Sequence, residues 1–327
     1  MPKILIIRFS SIGDIVLTTP VIRMAKKQIP NAEIHFLTKS NFKSILASNP
    51  YIDKLWTIEN KSKEVIQDLK TEVFDYIVDL HHNLRTASVK RALGVSSKSF
   101  NKLNIEKWVM VNFKRNRLPD VHIVDRYLDT LQDFKIKNDF EGLDYFIPKS
   151  DEVGLNELPK SHQNGYLAWV IGGSYFTKMW PPSKVVECLR RVETPIILLG
   201  GREDQAKGEE IRLKSGNHVF NACGKFNLNQ SASLVKQAQK VLSNDTGLMH
   251  VAAAFNKPIL SFWGNTIPEF GMTPYIPQHP ELSKIMEIKG LDCRPCSKLG
   301  YKKNCPKKHF HCMELIDVDE VVGWILK

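Results

Sequence analysis

Several signatures are missing from this chain, and each absence removes a class of protein. No run of apolar residues is long enough to span a bilayer, so no membrane-crossing helix is expected. The opening MPKILIIRFSS holds only a brief apolar run before polar residues, unlike a secretory leader, and a cytoplasmic protein is expected. No G-x-G-x-x-G follows the first strand-like run, which counts against an NAD enzyme. The Gly-Lys-Ser/Thr of a Walker motif is absent, and so are an RNP-like aromatic strand, short internal repeats and low-complexity tracts. What remains is a chain of 327 residues, 43% hydrophobic, which is more than one domain usually holds. Its formal charge of +11 attracts anions: nucleic acid, phosphorylated small molecules or an anionic membrane face. A merely soluble basic enzyme fits that charge equally well.

The pattern along the chain is one of apolar runs alternating with helix-like stretches. KILIIRF (3–9), AEIHFLTK (32–39), YIDKLWTI (51–58) and VFDYIVDLHHN (73–83) read as strands of a parallel sheet. Near Pro20, either Thr19 caps a helix that has Pro20 in its first position, or one helix from Asp14 is kinked there. Residues 101–126 are rich in Lys and Arg, and LPKSHQN (158–164) reads as a linker. The alternation then restarts with GYLAWVIGGS, PIILLGG (195–201), HVFNAC, KVLSND and PILSFWGN, with helices near 183–192, 203–214, 229–239 and 247–255. Two α/β domains are expected, 1–160 and 161–327, facing across a cleft.

Three turns in the second half carry chemistry. SNDTGLMHVAAAF (243–255) passes from a strand to a helix through Asp245, Thr246 and Gly247, at the sheet edge where ligands bind. Asp245 or Thr246 can cap the helix, Gly247 admits a ligand to the backbone, and the helix N-terminus suits a phosphate. His250 lies one turn in. An ordinary capped helix explains the same residues. GGSYFTKMWP (172–181) offers backbone N–H groups, the Ser174 hydroxyl and the Lys178 ammonium to a diphosphate. LLGGREDQ (198–205) offers Glu203 and Asp204 to ribose hydroxyls. In the first half, Asp14 of FSSIGD stands after the first strand, placed as a general base or a helix cap.

ILIIRFSSIGDIVLTTP, GGSYFTKMWP, SNDTGLMHVAAA and FWGNTIPEFGMTPY follow one another in the order found in glycosyltransferase family 9. The chain resembles the ADP-heptose:lipopolysaccharide heptosyltransferases of that family over nearly its whole length. The resemblance implies a GT-B architecture, two Rossmann-like domains with the acceptor on the first and the sugar nucleotide on the second. It implies Asp245, Thr246, Gly247 and His250 near the donor sugar and diphosphate, Lys178 and Ser174 at the diphosphate, Asp204 or Glu203 at the ribose, Phe226 against the adenine, and Asp14 as base. Where some members carry Thr-Thr, this chain has Gly173-Ser174, one hydroxyl fewer. The implied partners are an ADP-sugar and an anionic lipopolysaccharide-type acceptor, with peripheral association at the inner membrane face, and no nucleic acid. Cationic groups at the diphosphate remove the need for a catalytic metal.

Cys188 and Cys223 stand alone and read as core residues. Cys293, Cys296, Cys305 and Cys312 lie together, with His309 and His311 as alternative ligands; a structural zinc site or four free thiols account for them. ELIDVDEVVGWILK closes the chain as an amphipathic helix that could pack back on the first domain. A non-catalytic sugar-nucleotide binder and a nucleic-acid binder are the competing readings.

Overall fold

The computed structural model describes residues 2–327. In its first part, β-branched and aliphatic runs form β1 (Lys3–Ile7), β2 (Glu33–Lys39), β3 (Lys54–Ile58) and β4 (Tyr76–Asp79). Between them lie α1 (Ile12–Val16), α2 (Thr19–Gln28), α3 (Lys43–Leu46) and α4 (Lys63–Thr71). Then come α5 (Leu84–Leu93), β5 (Ser96–Ser99), α6 (Asn104–Phe113) and α7 (Ile123–Leu128). The sheet is parallel with order β3-β2-β1-β4-β5. Neither reading of Pro20 holds as stated. The backbone breaks after Leu17, and a new helix begins at Thr19 with Pro20 in its first turn, where the missing N–H costs nothing.

The second part repeats the pattern with β6 (Leu167–Val170), α8 (Pro182–Leu189), β7 (Ile196–Leu199), α9 (Gln205–Ser215), β8 (Val219–Asn221) and α10 (Leu228–Gln237). It continues with β9 (Val241–Asn244), α11 (Gly247–Ala254), β10 (Ile259–Trp263), β11 (Ser283–Glu287), α12 (His311–Glu314) and α13 (Val318–Leu326). Its parallel sheet has order β11-β10-β9-β6-β7-β8. The expected α/β class with two Rossmann-like domains is what the chain adopts. Strands β5 (SSKS) and β11 (SKIME) carry too little apolar pattern to be read in advance; each is an edge strand held by its neighbour's backbone.

The division into units departs from a cut at 160. The first takes the residues up to Lys102 and then Val121–Phe146; the second takes Leu103–Asp120 and Ile147–Lys327. Ion pairs explain part of this. The buried Arg23 guanidinium on α2 holds Asp139 at 2.9 Å and also pairs with Asp144, tying the later segment to the first sheet. Residues 147–164 are not a free linker. Asp151 accepts from Asn227 and Asn229 on the second unit, and the buried His162 ring meets Ile196 O at 3.2 Å. The closing helix α13 belongs to the second unit. Val321, Val322 and Ile325 join a core cluster with Val185 and Leu189 of α8, because its apolar stripe matches that face. In the centre of this core Trp169, Trp180 and Phe262 stack nearly parallel.

Candidate functional site

In the second unit the strand order reverses between β6 and β9, the place where an open α/β sheet leaves a crevice at its carboxyl edge. Both flanking strands end in turns singled out above, Gly172–Ser174 after β6 and Asp245–Gly247 after β9. Asn244 joins them. Its buried amide donates to Val170 O and Gly172 O at 3.3 and 3.2 Å, and its oxygen accepts from Trp180 N at 3.0 Å. Lys178 follows in a short 3-10 turn, and its ammonium lies 2.5 Å from Asp245 Oδ2. The same oxygen accepts from the Thr266 hydroxyl at 2.9 Å. Thr246 is the N-cap of α11, and Gly247 opens that helix. His250 is buried one turn further in.

The neighbouring turn after β7 is built around Asp204. Its Oδ2 accepts from Gly201 N at 3.1 Å and its Oδ1 pairs with Lys207 at 2.7 Å, leaving the residue 5% exposed. Gly172 must be glycine here, since a Cβ would lie 2.4 Å from Asp204 Oδ2. Asp204 thus braces two turns, while Glu203 beside it is exposed. Ser174 is exposed and Phe226 half-buried, after β8.

In the first unit the order reverses between β1 and β4. Arg8 leaves the end of β1 into a nearly closed pocket. Its guanidinium donates to Ser10 O at 2.7 Å and Leu80 O at 2.5 Å, and stands about 6 Å from the Phe100 and Tyr127 rings. The remaining nitrogen pairs with Asp14 Oδ1 at 2.6 Å. Burial opposes the Arg8 charge, but Asp14, Tyr127 and Asp79 outweigh it and hold the group protonated. The other Asp14 oxygen accepts from the Ser11 N–H and hydroxyl, at 3.1 and 2.7 Å. Asp14 is the third residue of α1 and closes a capping box with Ser11, the N-cap, so the expected capping contact is made there. After β4, buried Asp79 accepts from His81 N and His82 N at 3.1 and 2.6 Å and pairs with Lys90 at 3.0 Å, which fixes the His81 turn. His81 packs edge-on against Phe9. Burial first, then the charge of Arg8, pulls its pKa down to about 4, so it stands neutral near Arg8 and Asp14.

The four clustered cysteines all fall in the second unit. Burial and then the neighbouring Cys293 and Cys305 raise the Cys296 thiol, and burial and then Cys296 raise Cys312 to about 12. Cys293 Sγ lies 3.9 Å from His309 Nε2. Among the described residues the one trio of ligand atoms within 4.8 Å of each other lies elsewhere, at Glu33, His35 and Glu72, where Lys3 and Lys54 already supply the cations.

The model of glycosyltransferase family 9 (heptosyltransferase) matches residues 63–301, most of the chain, from β4 and β5 of the first sheet through all of the second. The chain is a family 9 glycosyltransferase. This glycosyltransferase is 27% identical over 292 residues to lipopolysaccharide heptosyltransferase 1 of Campylobacter coli, covering 81% of this chain and 84% of that one. A family 9 glycosyltransferase structure from Veillonella parvula superposes with a TM-score of 0.77 at 20% identity, over 98% of this chain and 95% of the other. The E. coli heptosyltransferase WaaC with ADP gives 0.69 at 18% identity, over 99% of each.

In the glycosyltransferase the predicted donor residues of the β6 and β9 turns come together as one cluster, with Asp204 and Phe226 on the adjoining turns of the same edge. Asp14 stands apart from these in sequence and belongs to the other sheet. Sequence reasoning missed Arg8, His81, Asn244, Lys207 and Thr266. Arg8 and His81 sit at strand ends, and a cation or imidazole directly after an apolar run was the available signal. Asn244 and Thr266 carried none, since a buried amide or hydroxyl is recognised only from its partners.

Proposed function

We propose that this glycosyltransferase is inverting and moves a heptose-like sugar from an ADP-sugar to a hydroxyl of a lipopolysaccharide-core acceptor. The observation that carries the donor half is the Lys178 ammonium beside the N-terminus of α11 at the β6/β9 reversal, two positive features where a diphosphate would gather charge. The ADP in the WaaC structure and the name of the Campylobacter coli relative support an ADP-sugar donor and a lipopolysaccharide acceptor in this reading. In this reading the acceptor oxygen forms a bond to the anomeric carbon and gives its proton to Asp14. The bond from that carbon to the diphosphate oxygen breaks, and the electron pair leaves on ADP. Lys178 and the backbone N–H groups of the α11 N-terminus stabilise the leaving charge, so the reaction needs no cofactor. Ser174 contacts the diphosphate, exposed Glu203 takes the ribose in place of the braced Asp204, and Phe226 lies against the adenine. Nucleotide release is measured with a panel of ADP- and UDP-sugars and lipopolysaccharide-core acceptors. Release from ADP-heptose that depends on acceptor is expected. Release from UDP-sugars only, or ADP binding without any turnover, overturns the reading.

We propose further that Cys293, Cys296, Cys305 and Cys312 hold a structural zinc ion, which would draw the converging thiols into ligand spacing. Metal analysis of protein purified under reducing conditions is expected to find one zinc per chain. Four titratable thiols without metal overturn it.

A further inference from the structure

Helix α6 has no buried residue. Ile105, Trp108 and Phe113 are each more than half exposed, and the last two rings pack edge to face at 5.3 Å. Exposed Leu299 and Tyr301 lie across from them on the loop after Cys296, around a cavity of about 370 Å³ that Trp108, Tyr175 and Leu299 help to line. The helix and loop are tied together. Lys114 Nζ donates to Val111 O and Pro295 O at 2.6 and 2.7 Å, and Lys298 reaches Asn104 at 3.5 Å.

Charge is concentrated on the same two segments. Residues 104–117 carry four Lys or Arg against one Glu, and residues 293–311 carry six against no acid. These 33 residues hold an excess of nine positive charges, and the other 294 an excess of two. Of these cations, Arg294 pairs with Glu287 at 2.7 Å and Lys107 lies over the Phe270 ring at 5.5 Å. The two cationic segments flank an exposed Ile-Trp-Phe-Leu set, the composition of a surface that lies in the interface of an anionic bilayer. A nucleic acid would use the cations and leave Ile105 and Leu299 without partners. Among the described residues no helix is long and apolar enough to cross a membrane, so attachment would fall to a surface.

We propose that α6 and the 296–303 loop dock this glycosyltransferase on an anionic phospholipid surface. The proposal rests on the reading of the acceptor as a lipid-anchored glycan, and it names how the enzyme reaches that acceptor. The test is co-sedimentation of the full chain with vesicles of phosphatidylglycerol and phosphatidylcholine, and with phosphatidylcholine alone. Binding is expected to the anionic vesicles only and to fall with salt. Each cation near such a surface contributes roughly fivefold, so Lys302→Glu with Lys303→Glu is expected to lower partition by roughly 10² or more. The triple variant Trp108→Ser, Phe113→Ser, Leu299→Ser is expected to lose binding while keeping ADP affinity, which shows that it is folded. No binding of the unaltered chain to anionic vesicles, a partition of both variants equal to that of the unaltered chain, or preference for a single-stranded oligonucleotide over vesicles overturns the proposal. Failure of the unaltered chain to bind anionic vesicles, with turnover intact on a water-soluble acceptor fragment, sinks the docking surface alone. Vesicle binding without turnover on any sugar nucleotide sinks the proposed reaction alone.

Discussion

Each unit places an ion pair at the carboxyl edge beside its reversal of strand order, and the two pairs are oriented oppositely. In the first, the cation is inside: Arg8 is 9% exposed and Asp14 21%. In the second, the acid is inside: Asp245 is 10% exposed and Lys178 17%. A sheet edge that turns a carboxylate outward is suited to take a proton. One that turns an ammonium outward is suited to hold a phosphate. The reversal of strand order makes the crevice in both units, and in the proposed reaction the outward-facing member of each pair does the chemistry.

The strongest way to break this comparison is Asp14→Asn. Asn keeps the Ser11 contact but cannot accept a proton, so turnover is expected to fall by roughly 10² to 10⁴ with donor affinity unchanged. Full turnover by the variant would leave Asp14 only its structural contacts with Ser11 and Arg8. Next is Arg8→Met, which removes the buried partner and the bonds to Ser10 and Leu80. Breaking a buried pair costs about 3–5 kcal/mol, so chemical denaturation should show a large stability loss, with Tm following. A small loss would mean that the cation is not structural.

Lys178→Ala tests the other hand of the pair. Loss of a charge-assisted contact to phosphate costs about 1.5–3 kcal/mol, a ten- to hundredfold weaker ADP-sugar affinity by titration. Its stability should fall far less than that of Arg8→Met, because Thr266 still serves Asp245. Equal stability losses in the two variants would erase the distinction. The smallest effect is expected from pH. The folded-state pKa of His81 is near 4, below the ordinary value of 6.5. As pH falls below 6.5 the unfolded chain takes up a proton that the folded one refuses, so stability drains away between 6.5 and 4. For a side chain that is not fully buried this amounts to roughly 2 kcal/mol. His81→Gln should flatten that slope; an unchanged profile would assign it to other groups.

Much of the fold was legible from one dimension. Strands β1, β2, β4, β6, β7, β9 and β10 are buried on both faces and announce themselves as apolar runs, and the turns after them carry Gly, Ser, Asp and Thr because a parallel sheet must end in turns. The placement of Lys178, Asp245, Thr246 and Gly247 at that sheet edge was legible for that reason. Strands β5 and β11 and helix α6 were not, since their residues are chosen by neighbours rather than by their own burial. The unit boundary was missed too, because Arg23 reaches a segment more than a hundred residues away.

The amino-acid sequence by itself determined the α/β alternation, the turns at the strand ends and the position of Asp14, because each depends on a local period or a local turn. Tertiary structure alone decided that Arg8 stands behind Asp14, that His81 is neutral beside them, and that Asp204 is used up by Gly201 and Lys207. Those are matters of burial and of partners distant in the chain, and the energy of a charge is set by the groups folded around it rather than by the residues next to it.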